Sequence, residues 1–149
     1  MGKMVSAELT GVLELDQAFA GLPRKVGNLA VRNALKVAAH PVMRQMEATA
    51  PRSQKPTLMN KIRIRSGGRA PKGAIKRVIT FIGEYGVTGH RRKPVRVWAV
   101  AYMLHYGTPH VSKYEGWITR AVDERRDRSI SIFKTHISSS IKMAMRRAR

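Results

Sequence analysis

The sequence predicts an α+β fold: a small antiparallel sheet packed by a long, kinked N-terminal helix and a long C-terminal amphipathic helix. Three observations predict it. Apolar residues recur at helical spacing over 24–48 and again over 114–147, as one buried face of a helix requires. Between them lie short runs rich in β-branched and aromatic residues, which suit a pleated, half-buried surface. Glycine-rich basic segments join those runs, as turns between strands require. The chain has 149 residues, 43% of them apolar, enough for one core, so residues 1–149 are expected to form a single domain.

In chain order, Val5, Ala7 and Leu9 alternate with Ser6 and Glu8, the period of a strand over 4–9. After an acidic turn at Glu14 and Asp16, the residues Val26, Ala30, Ala34, Val37 and Met46 recur at helical spacing, predicting a helix over 24–48. Pro41 lies inside it. Its missing N–H typically costs about 3 kcal/mol, so the rod is expected to kink near His40 or break in two. The segment 49–57, with Pro51 and Pro56, ends that helix,. Three runs then read as strands of one antiparallel sheet over 60–101: "KIRIR", "RVITFI" (77–82) and "VRVWAVA" (95–101),. The connections at 66–73 and 83–94 read as exposed basic loops. A final helix over 114–147 places Trp117, Ile118, Ala121, Ile130, Phe133, Ile137, Ile141 and Met145 on one stripe with basic residues outside it, and both helices are expected on one sheet face.

Charge sets the partner class. There are 29 lysines and arginines against 9 acids, a formal net charge of +20, which surrounds the fold with a positive field and implies an anionic partner. The absence of cysteine excludes disulfides and Cys-based metal or redox sites and fits a reducing compartment. No apolar run approaches the length of a membrane span, and "MGKMVSAELTGVLELD" has no signal-peptide core, so neither membrane insertion nor secretion by that route is expected.

Catalysis finds little material. Between Ala48 and Tyr114 the single acid is Glu84, which disfavours a paired-carboxylate hydrolase and a magnesium-dependent nuclease. His105 and His110 flank Gly107 but have no third ligand nearby; the simpler reading is a half-buried histidine satisfied by backbone. "GGRAPKG" lacks the ending and context of a nucleotide-binding loop. No catalytic, cofactor-binding or metal-binding residue is nominated, and no cofactor.

The strongest signal is basic. Thirteen lysines and arginines fall between Arg52 and Arg96. Arg63, Arg65, Arg69, Lys72, Arg91, Arg92 and Lys93 are the candidate contacts to DNA phosphates or to an acidic protein surface. Base stacking is not expected, because Phe81, Trp98, Phe133 and Trp117 sit at positions predicted to be buried. The stretch "YMLHYGTPHVSKYEGWITRAV" (102–122) reads as a joint. Gly107 permits a positive φ, Thr108 can bond locally, Pro109 holds Thr108 extended, and Trp117 and Ile118 anchor the last helix while His105 and Tyr106 cover the seam.

Three stretches together resemble the minor tail, or tail-completion, proteins of long-tailed bacteriophages, the neck and head–tail joining family to which the lambda minor tail protein Z looks related. They are "LDQAFAGLPRKVGNLAVRNALKVAAHPVMRQMEATAP" (15–51) after an opening strand, "LMNKIRIR" (58–65), and the aromatic-Gly-Thr corner followed by Trp117, Ile118 and Ala121. The chain departs from the family's Arg-Thr-Gly after Ala-Pro, running Arg52, Ser53, Gln54 instead, and carries Gly116 and Arg120 where prolines are usual. The resemblance implies a non-enzymatic structural protein of the virion neck, assembled in the host cytoplasm. It would act in tail completion as a hexameric homo-oligomer ring between portal and tail tube, touching other neck and tail proteins and, without sequence preference, genome DNA in the channel. The alternative reading is a non-specific nucleic-acid-binding protein of a phage or mobile element.

Overall fold

The computed structural model describes residues 24–51, 58–67, 75–85, 94–107 and 114–147. Along them run α1 (Arg24–Thr49), a 3-10 turn (Leu58–Lys61), β1 (Ile62–Ser66), β2 (Arg77–Phe81), β3 (Glu84–Tyr85), β4 (Val95–Arg96), α2 (Val97–Tyr106) and α3 (Trp117–Arg147). The architecture is the expected α+β one, with a long N-terminal and a long C-terminal helix and a small antiparallel sheet packed against helices. The predicted strand at 4–9 lies outside the described residues, as does most of both basic connections.

Helix α1 forms where the periodicity places it. The expected break does not occur, because the helix runs through Pro41 as one element. Proline removes one amide donor, but Ala38 and Val42 on either side of it are buried, and packing holds the turns that the missing bond would have held.

Buried apolar side chains fall at every fourth residue, Ala34, Ala38, Val42 and Met46 within α1 and Ala50 just after it. Four residues advance a 3.6-residue helix by about 40° beyond a full turn, so the stripe winds round the rod. Its N-terminal end, at Ala34, packs with Ile137 and Ile141 of α3. Its C-terminal end, from Val42 to Ala50, packs with Leu58, Ile62, Val97, Ala101, Trp117 and Ala121. One helix therefore serves two cores. Helix α3 answers with its own every-fourth stripe, in which Trp117, Ala121, Ile137 and Ile141 are buried and Phe133 is half-buried, while Arg125 and Ser129 take the two positions between. Among the described elements the most extensive packing is that of α1 with α3. Both helices were expected on the sheet; α3 lies along α1 and also meets β2, where the Trp117 ring approaches Phe81 edge-on at 5.9 Å.

Strands β1 and β2 pair antiparallel from Ile62↔Phe81 to Ser66↔Arg77, and the Gly67 amide donates to the Lys76 carbonyl at 2.9 Å beyond the last pair. The alternation is as expected: Ile62 is fully buried, Arg63 and Arg65 exposed. The single sheet expected over 60–101 is corrected to two separate two-stranded ladders, β1–β2 and β3–β4.

The strand expected over 95–101 is also corrected. Only Val95 and Arg96 are extended; from Val97 the chain is helical to Tyr106. "VWAVAYMLHY" is apolar nearly throughout, so period alone separates strand from helix poorly. The buried pair Val97 and Ala101 is spaced four apart, and a strand would have turned these residues and Ala99 to one face. Packing at helical spacing overrides the β-propensity of Val and Trp.

Candidate functional site

The predicted joint is built as follows. Gly107 closes α2 at φ 76° and ψ 161°, a region essentially restricted to glycine. The His105 carbonyl accepts the Gly116 amide at 2.8 Å. The Ile118 amide donates to His105 Nδ1 at 3.3 Å. With Nδ1 accepting, the ring proton belongs on Nε2, which faces Thr119 Oγ1 at 3.4 Å,. Burial pushes the His105 imidazole below its ordinary pKa, with Glu115 acting in the opposite direction. Trp117 is 2% exposed and Ile118 half-buried, and His105 ties the end of α2 to the start of α3 through the Gly116 and Ile118 amides. Tyr106, expected to help cover the seam, is 61% exposed and sets its ring edge-on to His105 at 4.9 Å. Thr108, Pro109 and His110 lie outside the described residues.

Of the candidate anion contacts, Arg63 and Arg65 stand on the solvent face of β1, and Arg63 Nη1 donates to the Ile62 carbonyl at 2.7 Å. Arg69, Lys72, Arg91, Arg92 and Lys93 lie outside the described residues. Beside them the structure presents two surfaces that the sequence reading missed.

The first is an aromatic row on α2. Trp98 was expected to be buried; it is 45% exposed. Spaced at four residues from it, Tyr102 and Tyr106 share its face: the Trp98 and Tyr102 rings meet edge-on at 6.0 Å, and Tyr102 stacks on Tyr106 at 6.0 Å with planes 10° apart. Met103 beside them is also exposed. The spacing 98, 102, 106 is visible in the sequence, but becomes a row only once the segment is helical.

The second is a cleft of about 580 Å³ between α1 and α3, beside Pro41, lined by His40, Arg44, Gln45, Arg125 and Arg128 with apolar walls from Val37 and Ile132. Arg125 Nε donates to Gln45 Oε1 at 2.9 Å, and the Gln45 amide nitrogen donates to Glu124. On the opposite side, α1, β2 and α3 enclose an apolar groove of about 540 Å³ that includes Val42, Ile79, Val122 and Phe133. Among the described residues no group of three metal-ligating side chains converges, and no helix is long and apolar enough to cross a membrane.

No protein-family model matches this chain, and no curated protein or solved structure shows significant similarity to it.

Proposed function

We propose that this chain is a non-enzymatic structural subunit of the bacteriophage neck. It acts in tail completion and head–tail joining as one member of a homo-oligomeric ring between the portal and the tail tube. The observation that carries the assembly part of this reading is the exposed face of α2. A ten-residue helix whose only titratable side chains are Tyr102, His105 and Tyr106 turns Trp98, Tyr102, Met103 and Tyr106 outward. Contiguous exposed aromatic surface of this kind marks association sites, and Trp and Tyr dominate the energetics of protein interfaces. The neck assignment is supported by the three stretches that resemble tail-completion proteins. The net charge of +20 suits a subunit facing DNA in a channel or the acidic surfaces of neighbours.

Native mass spectrometry of the full chain mixed with the neck proteins of the same genome tests this. The expected result is a closed ring, lost in a Trp98→Ser/Tyr106→Ser variant; a chain that joins no ring under those conditions overturns the reading.

A second reading, non-specific nucleic-acid binding, gains from the exposure of Trp98, because an outward aromatic row is what stacking on single-stranded bases requires. Titration with single-stranded and duplex DNA across a salt series separates the two. A nucleic-acid binder holds DNA at physiological salt with a steep negative salt slope, and one that stacks loses single-stranded binding in the same α2 variant.

A further inference from the structure

We propose that the arginine cleft between α1 and α3 is a binding site for a phosphate-bearing anion. The argument begins with Arg125. It occupies a position on the every-fourth stripe of α3 where Trp117, Ala121, Ile137 and Ile141 are apolar and buried. A cation in an apolar seam weakens packing unless it has a partner. Its partner is unusual. Arg125 is held by the neutral Gln45 through Nε, and no carboxylate lies within salt-bridge distance of Arg125, Arg44 or Arg128 among the described residues. Glu124 binds Gln45 and so helps to fix the clamp without neutralising Arg125.

With Nε occupied, the two terminal nitrogens of Arg125 have no protein acceptor among the described residues. Arg44 and Arg128 line the same concavity from opposite helices, His40 adds an imidazole, and no described carboxylate lines it. Planar guanidinium forks match two oxygens of a phosphate at once. An Arg fork already oriented by a side-chain bond loses little conformational freedom on binding. Apolar walls at Val37 and Ile132 reduce the screening that weakens such contacts on an open surface. Among the described residues no other cation meets these conditions together: Arg63 and Arg65, for example, stand on an open strand face. The phosphate can come from a nucleic-acid backbone or from a small free polyphosphate, and the site does not depend on the ring assembly proposed above.

Isothermal titration calorimetry of the full chain with inorganic pyrophosphate, and in a second arm with a duplex DNA across a salt series, tests the site. Arg125→Gln/Arg128→Gln is compared with Arg63→Gln/Arg65→Gln, which removes the same charge from β1. The expected result is at least a tenfold loss of pyrophosphate affinity in the cleft variant and less than twofold in the control. If the DNA salt slope also falls by about two, at about 0.9 per phosphate contact, in the cleft variant alone, the source is a nucleic-acid backbone; an unchanged DNA slope with the pyrophosphate loss assigns a free polyphosphate. Because Arg125 is partly buried, Arg44→Gln and Arg128→Gln, both at exposed side chains, are measured singly alongside far-UV circular dichroism. Equal losses in cleft and control variants, or no pyrophosphate binding by the unmodified chain, overturn the proposal.

Discussion

Helices α3 and α2 meet where His105 accepts the Gly116 and Ile118 amides, but they manage apolar surface in opposite ways. Helix α3 has 31 residues and keeps its apolar stripe narrow: Trp117, Ala121, Ile137 and Ile141 are buried, and charged residues such as Asp123, Arg126 and Lys134 face water. Helix α2 has ten residues and is apolar nearly all round, yet only Val97 and Ala101 are buried. A helix apolar on every face belongs in an interior. The α2 surface exceeds what the described residues cover, and the comparison separates side chains that hold the fold from side chains available to something else.

The comparison breaks most visibly at Trp117. Trp117→Ala is expected to cost about 3–5 kcal/mol in chemical denaturation, since the ring is buried between the two helices and β2. Trp117→Phe should cost much less, because the indole N–H is buried with no acceptor among the described residues, so no hydrogen bond is lost. Next comes the hinge between the helices. Gly107→Ala must adopt φ 76° and ψ 161° or shift the joint, a penalty of about 1–3 kcal/mol measurable in the same experiment. A smaller effect concerns pH. The folded-state pKa of His105 lies below its unfolded value, so the unfolded chain binds more protons, and stability is complete above about pH 6.5 and declines as pH falls through the folded value,. Protonation also removes the Nδ1 lone pair that accepts the Ile118 amide. Thermal melts should show this dependence weakened in His105→Gln. Smallest of all for folding, Trp98→Ser/Tyr106→Ser should change stability by only about 0.5 kcal/mol per site. A loss comparable to that of Trp117→Ala would erase the distinction between the two helices.

Much of this fold was legible. Residues 24–48 and 114–147 carried unambiguous periodicity, and the alternation in "KIRIR" identified the buried face of β1 from Ile62 and Arg63 alone. Gly107 and Trp117 were recognisable because a glycine after an apolar run and a tryptophan one turn into an amphipathic helix each have few physical explanations. The error at 95–101 arose where Val95, Val97 and Trp98 favour a strand on propensity while Val97 and Ala101 pack at helical spacing. That one misreading hid the aromatic row, since Trp98, Tyr102 and Tyr106 lie on one face only in a helix. The arginine cleft was hidden for another reason. Arg125 looks like one more cation in a basic chain until its place on the buried stripe, and its bond to Gln45, 80 positions away in sequence, are known.

The β3–β4 ladder has a mechanical corollary. Glu84 pairs with Arg96 and Tyr85 with Val95, and the Val97 amide donates to the Gly83 carbonyl at 3.1 Å. The chain therefore leaves at Tyr85 and returns at Val95 through one clasp fastened to the first residue of α2. A pull applied at Tyr85 or Val95 would reach the base of α2 before it reached the seam between the two long helices.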